Sequence, residues 1–237
     1  GLSNAADAVT AIKVKVFDEK SVTPDELNAA IEANFEGFSE LRNALIACPK
    51  TGNNDALPDG IMRELAYTFA DALKGKTTPF GGVWRAGTGS AMEYVNAAAV
   101  VGATADGRKA GEYYACSFSP SLTARLSGPL SAVQSFTSFD LAPVCNGGPF
   151  TIEIHDAVFR NAEGEKKTAA LVKAFIDRGG HQIQINAINR DKLLDAQAHP
   201  ENYPNLIVRV WGWSGYFAEL DKKYQDHVIK RAEFNFG

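Results

Sequence analysis

Two short stretches in the second half of the chain alternate polar and apolar residues with a period of two: Thr151-Ile152-Glu153-Ile154-His155 and His181-Gln182-Ile183-Gln184-Ile185-Asn186. Successive side chains of a strand point to opposite faces, so each stretch is expected to be a strand with one buried face. Between them, residues 167–177 place Ala170, Leu171, Ala174 and Phe175 on one helical stripe. The pattern is a strand-helix-strand unit, and it sets the fold class as α/β. Downstream, Asn189 is expected to cap a helix running to about Ala198, which Pro200 and Pro204 terminate. Residues 206–210 read as a further strand, and a helix over about 221–232 closes the pattern.

The first hundred residues read mainly as helix. Ala5, Ala6, Val9, Ile12, Val16 and Phe17 recur at helical spacing from the outset, and the chain opens on Gly1 rather than Met, so sequence upstream of it is expected. Thr23-Pro24-Asp25-Glu26 combines a capping residue, proline at the first helical position and an acid three residues after the cap. The helix it starts carries Leu27, Ala30, Ile31 and Phe35 on one face; a second, from Ser39-Glu40, carries Leu41, Leu45 and Ile46. Turn residues at 49–55 stop it. A helix over 58–73 is expected to bury Ile61, Leu65, Phe69 and Leu73. The Gly-, Thr- and Pro-rich residues 75–89 should form a loop, and residues 92–101 fit strand or helix. No internal repeat or low-complexity tract is visible.

Several chemistries lose support here. With 45% hydrophobic and 22% charged residues in 237, the chain has the makeup of a folded globular protein. A net charge of −4 gives no footprint for nucleic acid, and Lys166-Lys167 and Lys222-Lys223 read as solvated helix faces. No apolar run approaches the ~18 residues of a membrane helix, and no signal peptide opens the chain, so a cytoplasmic protein is expected. Cys48, Cys116 and Cys145 fit neither a disulfide framework nor a zinc or iron-sulfur pattern. His155, His181, His199 and His227 form no ligand pair, and no metal is assigned. The segment 85–90 lacks the lysine of a phosphate loop and reads as a structural turn. Gly212-Trp213-Ser214-Gly215 lacks the spacing of a nucleophile elbow. Glu153 and His155 share a strand face and would suit an acid/base pair, although no partner nucleophile accompanies them.

Gly212 lies in the run Arg209-Val210-Trp211-Gly212-Trp213-Ser214-Gly215-Tyr216, just past a strand. A backbone Cα–H gives up its hydrogen most easily when the radical left behind can become planar and delocalise over the adjoining amide groups. A Cβ substituent opposes that planarity, so a backbone radical carrier requires glycine. Trp211, Trp213, Tyr216 and Phe217 are expected to pack around it and exclude water and oxygen. On composition alone an ordinary turn glycine is the simpler reading.

The motifs around it tip that balance. Arg209-Val210-Trp211-Gly212-Trp213-Ser214-Gly215 matches the C-terminal signature Arg-Val-x-Gly-[Tyr/Phe/Trp]-[Ser/Ala/Thr]-x of the glycyl radical enzymes, the group that resembles pyruvate formate-lyase. Gly102-Ala103-Thr104-Ala105-Asp106-Gly107-Arg108 is similar to the family's Gly-Ala-Thr-Pro-Asp-Gly-Arg, with Ala105 replacing proline. Phe118-Ser119-Pro120-Ser121, Gly128-Pro129-Leu130-Ser131-Ala132-Val133, residues 179–186 and residues 195–206 resemble it in the same order, as do the opening residues 1–7 and 33–37. The resemblance implies that Gly212 is the catalytic radical site, with Arg209, Val210, Trp211, Trp213, Ser214 and Tyr216 supporting its loop. It implies the C-terminal portion of a ten-stranded α/β barrel with surrounding helices, residues 1–101 belonging to the formate-lyase-like barrel domain and residues 102–237 to the glycine radical domain.

The same resemblance implies no bound cofactor. A separate S-adenosylmethionine and iron-sulfur activating enzyme would remove the hydrogen, and the radical would then take a hydrogen from a cysteine, whose thiyl radical attacks substrate. In the family that cysteine lies in a Gly-Cys-Val-like loop, which the surroundings of Cys48, Cys116 and Cys145 do not resemble, so each is expected to be buried or inert. The chain alone is thus expected to store a radical without turning over substrate. Implied partners are the activating enzyme, the N-terminal part of the same enzyme, a second copy in a homodimer and a small accessory subunit. The Arg-Val-Trp-Gly-Trp-Ser-Gly form looks most like the arylacetate decarboxylase branch, such as 4-hydroxyphenylacetate decarboxylase, and so like carbon-carbon lyases. Alternatives are a formate C-acetyltransferase, a diol or hydroxyproline dehydratase, or a non-catalytic stand-alone radical carrier.

Overall fold

A computed structural model describes residues 1–210 and 212–232. Side-chain caps set several of the helix starts. Helix α1 (Leu2–Ile12) continues into a π-helical turn at Lys13–Asp18. Helix α2 (Pro24–Glu32) begins where Thr23 Oγ1 accepts the Glu26 amide at 3.2 Å, and α3 spans Ser39–Ile46. Asp55 caps α4 (Ala56–Leu73) through the Leu57 amide at 3.0 Å. Residues 92–101 resolve as helical, with α5 at Glu93–Asn96 and a 3-10 turn at Ala97–Ala99. Helix α6 is Pro129–Phe136.

Strand β1 (Phe150–His155) and strand β2 (Ile183–Ile188) pair in parallel, from Phe150 opposite Ile183 to His155 opposite Ile188. The crossover between them is α7 (Ala162–Asp177). It starts before residue 167 because Asn161 Oδ1 takes the Gly164 amide at 2.8 Å. Asn189 then caps α8 (Arg190–Ala198) by accepting the Asp191 and Lys192 amides. Strands β3 (Ile207–Arg209) and β4 (Ser214–Tyr216) form an antiparallel hairpin, and α9 spans Lys222–Ala232.

The main core packs β1 between helices. Phe150, Ile152 and Ile154 meet Met62 and Ala66 of α4, Val133 and Phe136 of α6, and Leu171 and Phe175 of α7. Phe150 stacks on Phe175 at 5.8 Å between ring centroids, and residues from both 1–101 and 102–237 contribute to this core. A second cluster joins the N-terminal helices around Leu27, Phe35 and Leu45. A third, drawn from β2, β3, α8 and α9, lies beneath the hairpin.

Three expectations need correction. In α4 the deepest positions are Met62 and Ala66, while Phe69 is half exposed; the stripe facing the core is rotated by about one residue from the four-spaced apolar row. Phe35 is buried, but it lies past the end of α2 at φ +61. Strand β1 is buried on both faces, because Thr151 and Glu153 turn away from the apolar core onto a second, polar layer. That layer is supplied by the segment around Ser119, whose Oγ accepts the Thr151 amide at 2.9 Å, and by Arg231 of α9.

The glycine-rich loop at 85–90 is structural. Its backbone pairs with that of 146–147 (Asn146 N to Ala86 O, 2.9 Å; Thr88 N to Gly147 O, 2.8 Å). A Cβ on Gly87 would stand 2.7 Å from the Asn146 carbonyl oxygen, so the close approach of two backbones requires that glycine.

Candidate active site

The hairpin that carries Gly212 is built from a strict alternation. Val208 and Val210 are buried, and with Phe217 they enter the third cluster beside Ile188, Leu193, Ala196, Val228 and Ile229. Burial of such side chains favours a seated stem by about 1.5–3 kcal/mol each. Ile207 and Arg209, with Ser214 and Tyr216 opposite them, face outward. Val210 N donates to Trp213 O at 3.0 Å, and Phe217 N donates to Leu206 O at 2.7 Å, closing the two ends of the stem.

Gly212 sits at the tip with φ +115, and among the described residues none beyond its two chain neighbours comes within 4 Å of where a Cβ would stand. Glycine is needed there for its backbone angle and not for space. Gly215 is different: a Cβ there would strike the indole of Trp213, whose ring lies over it. Arg209 Nη1 donates to Ser214 Oγ at 3.2 Å across the hairpin, so Arg209, Val210, Ser214 and Tyr216 all belong to the stem.

Among the described residues, Trp213, Tyr216 and Phe217 do not enclose Gly212 as expected. Gly212 is exposed, Trp213 and Tyr216 are 41% and 42% exposed, and Phe217 is wholly buried in the cluster below. The stem alternation sends Phe217 down into the core, and Trp213 covers Gly215 instead of Gly212. Trp211 lies outside the described residues.

The stem is fixed to the parallel sheet by a buried polar cluster. Asn186 Oδ1 accepts the Arg209 amide at 2.7 Å, and its Nδ2 donates to Arg209 O at 2.9 Å and to Glu153 Oε1 at 3.2 Å. Arg231 pairs with Glu153 at 2.7 Å, and its Nη2 donates to Arg209 O at 3.3 Å. Glu153 and Asn186 are cross-strand partners in the register, which is why their side chains meet.

Sequence reasoning missed this cluster. Asn186 read as one polar position of a half-buried strand, and Glu153 was coupled to His155. The structure separates that pair: Glu153 is committed to Arg231 and Asn186, whereas His155 Nδ1 accepts the Ala157 amide at 3.1 Å beside Asp156. The unbroken polar row Gln182, Gln184, Asn186 was the available signal of a second buried layer.

Two of the three cysteines are buried as expected. Burial pushes the Cys116 and Cys48 thiols up, away from the reactive thiolate; Cys116 Sγ lies 4.0 Å from Val210 O, against the stem. Cys145 is exposed. His227 is buried against the rings of Tyr94 and Tyr113, and burial drives its imidazole well toward the neutral form. Among the described residues no group of three or more His, Cys, Asp or Glu is arranged to hold a metal ion, and no helix is long and apolar enough to cross a membrane.

Comparison with known proteins gives this hairpin its context. The family description "Pyruvate formate lyase-like" matches residues 1–97, and "Glycine radical" matches residues 115–218. Trans-4-hydroxy-L-proline dehydratase of Clostridioides difficile is 32% identical over 238 residues, covering 100% of this chain and 30% of its own length. The 4-hydroxyphenylacetate decarboxylase glycyl radical subunit of Clostridioides difficile (strain CD196) is 28% identical over 258 residues, covering 99% of this chain and 28% of the relative. The glycerol-bound B12-independent glycerol dehydratase from Clostridium butyricum superposes with a TM-score of 0.93 at 35% identity, over 98% of this chain and 29% of that one. The chain therefore spans about 30% of the length of the curated relatives it matches. The fold is that of the corresponding part of such enzymes, a fragment of their α/β barrel. With a glycine alone at the tip of a hairpin and these relatives covering nearly every residue, the chain belongs to the glycyl radical enzyme family, as a pyruvate formate-lyase-like part followed by its glycine radical domain.

Proposed function

We propose that this chain stores a glycyl radical on Gly212 for an anaerobic lyase that acts on a small hydroxylated substrate by dehydration. The observation that carries the reading is the placement of Gly212: a residue without Cβ, at φ +115 at the tip of a hairpin whose stem is firmly buried. A separate S-adenosylmethionine and iron-sulfur activating enzyme takes the Cα–H, and the buried stem holds the glycine at one position. The hydrogen atom leaves Gly212 Cα, and the unpaired electron spreads over the flanking amides. Gly212 then accepts a hydrogen atom from a cysteine thiol outside these residues, and the thiyl radical so formed attacks substrate. Shelter from water and oxygen comes from the rest of the enzyme, because Trp213 and Tyr216 do not provide it here.

Dehydration is preferred to decarboxylation because the dehydratases compared stand at 32% and 35% identity against 28% for the arylacetate decarboxylase. The Trp-Gly-Trp form of the hairpin favours the second reading, carbon-carbon cleavage of an arylacetate. In either case residues 1–101 act as barrel wall and residues 102–237 as the glycine radical domain. The remaining parts of the proposal are a cytoplasmic setting, a homodimer and the N-terminal part of the same enzyme as the source of the thiyl cysteine.

Activated full-length enzyme, incubated anaerobically with glycerol, trans-4-hydroxy-L-proline and 4-hydroxyphenylacetate, separates the readings. Loss of water from a hydroxylated compound supports dehydration, and carbon dioxide release from the arylacetate supports the alternative. Exposure of the activated protein to air should cut the backbone at Gly212 and release the C-terminal helix as a fragment. An intact mass after air exposure of protein shown to hold a radical would remove Gly212 from the role.

A further inference from the structure

We infer that Asn186, oriented by the Glu153–Arg231 pair, is a positioning residue for the Gly212 radical; this rests on the radical reading above. Arg209 presents two backbone groups on the side of its strand away from β4. In a regular sheet they would be met by a neighbouring strand, but here a single side chain meets both: Asn186 Oδ1 takes the N–H at 2.7 Å and Nδ2 gives to the C=O at 2.9 Å. One primary amide thus stands in for a strand at the point where the stem leaves the sheet, three residues before Gly212.

An amide does this in only one of its two flips. Reversed, its oxygen would face the Arg209 oxygen and its NH2 would face the Arg209 amide. Glu153 Oε1, accepting from Asn186 Nδ2 at 3.2 Å, selects the correct flip. Arg231 holds Glu153 in place at 2.7 Å and reaches the same Arg209 oxygen at 3.3 Å. All three side chains are buried, Asn186 at 4%, Glu153 at 7% and Arg231 at 6% exposure, so water does not compete for these bonds. Four elements, β1, β2, β3 and α9, therefore fix the hairpin at one residue. Hydrogen-atom transfer demands placement of the reacting Cα to within about an ångström, and the anchored stem supplies it.

The test uses the full-length enzyme, activated anaerobically by its activating enzyme, with the electron paramagnetic resonance signal counted per folded chain. Asn186→Ala should lower radical yield or half-life by about threefold or more. Asn189→Ala is the control: it removes the cap of α8 in the same unit without touching the stem, and should leave the radical close to wild type. Equal losses in the two variants, or a wild-type radical in Asn186→Ala, would overturn the inference.

Asn186→Asp adds a pH profile that a purely structural role would not produce. Its protonated carboxyl can accept the Arg209 amide and donate to the Arg209 oxygen as the amide does, whereas its carboxylate cannot. Burial and the neighbouring Glu153 raise the pKa of such an acid, so the variant should regain radical half-life as pH falls while the wild type shows no such gain. Absence of that recovery would also overturn it. A wild-type enzyme that forms no radical would instead count against the function proposed for Gly212.

Discussion

Replacing Arg231 by methionine should loosen the hairpin more than any surface change could. The guanidinium lies 2.7 Å from Glu153 Oε1, with side-chain exposures of 6% and 8%. In Arg231→Met the Glu153 carboxylate stays buried with only the Asn186 amide to meet it, at 3.2 Å. Breaking one side of a buried ion pair costs about 3–5 kcal/mol, because the remaining charge is uncompensated. The lost bond to Arg209 O contributes about 1 kcal/mol more. Distributed to local opening, that cost should speed amide exchange in residues 186–232 by about 10³–10⁴-fold, at 1.36 kcal/mol per tenfold. Hydrogen-deuterium exchange read by mass spectrometry reports it by segment, with the helices α2 and α3 as the unaffected reference. The double variant Glu153→Gln/Arg231→Met removes the stranded charge and should recover most of the protection. Unchanged exchange in the single variant, or a double variant as loose as the single one, would refute the argument.

Other consequences concern the scaffold. Asp7 is fully buried, and burial, opposed by its bonds to Ser121 and the Thr51 amide, pushes its carboxyl up to about 7. A carboxyl raised in the folded state favours folding below its unfolded pKa and loses that advantage as pH climbs toward 7. Asp7→Asn should therefore flatten the stability profile between about pH 4 and 7, where the wild type loses up to roughly 4 kcal/mol, as measured by denaturant unfolding at each pH. A slope unchanged in Asp7→Asn would place the titration elsewhere. Asn161→Ala removes the cap that lengthens α7 and should cost about 1 kcal/mol by the same measurement, and a neutral result would show that the turn before α7 holds without it.

How much of this was legible in the sequence depended on how local the cause was. Thr23 and Asn189 announced their helices because a cap acts within three residues. The parallel pair β1 and β2 was legible because a period of two fixes which side chains share a face. The second buried face of β1 was not: Glu153 finds Arg231 across most of the C-terminal domain, and nothing near Glu153 in sequence names that partner. Phe69 was misread because two apolar rows run along α4, and packing against α1, not spacing, selected the one through Met62 and Ala66. Gly212 could be located from its motif, but its exposure could not. Aromatic neighbours say that bulk is nearby, and only the hairpin register says that Phe217 turns inward while Trp213 lies over Gly215.

The central claim rests on one atom, the Cα of Gly212. Protein labelled with Cα-deuterated glycine and unlabelled protein should be activated anaerobically and compared by electron paramagnetic resonance, together with Gly212→Ala. That variant brings its Cβ against none of the described residues beyond its chain neighbours and carries the backbone strain of a positive φ, about 1–3 kcal/mol, so it should fold. The account predicts a doublet from one α-hydrogen in unlabelled protein, its collapse toward a singlet on deuteration, and no signal in Gly212→Ala. A doublet that survives in folded Gly212→Ala would contradict it.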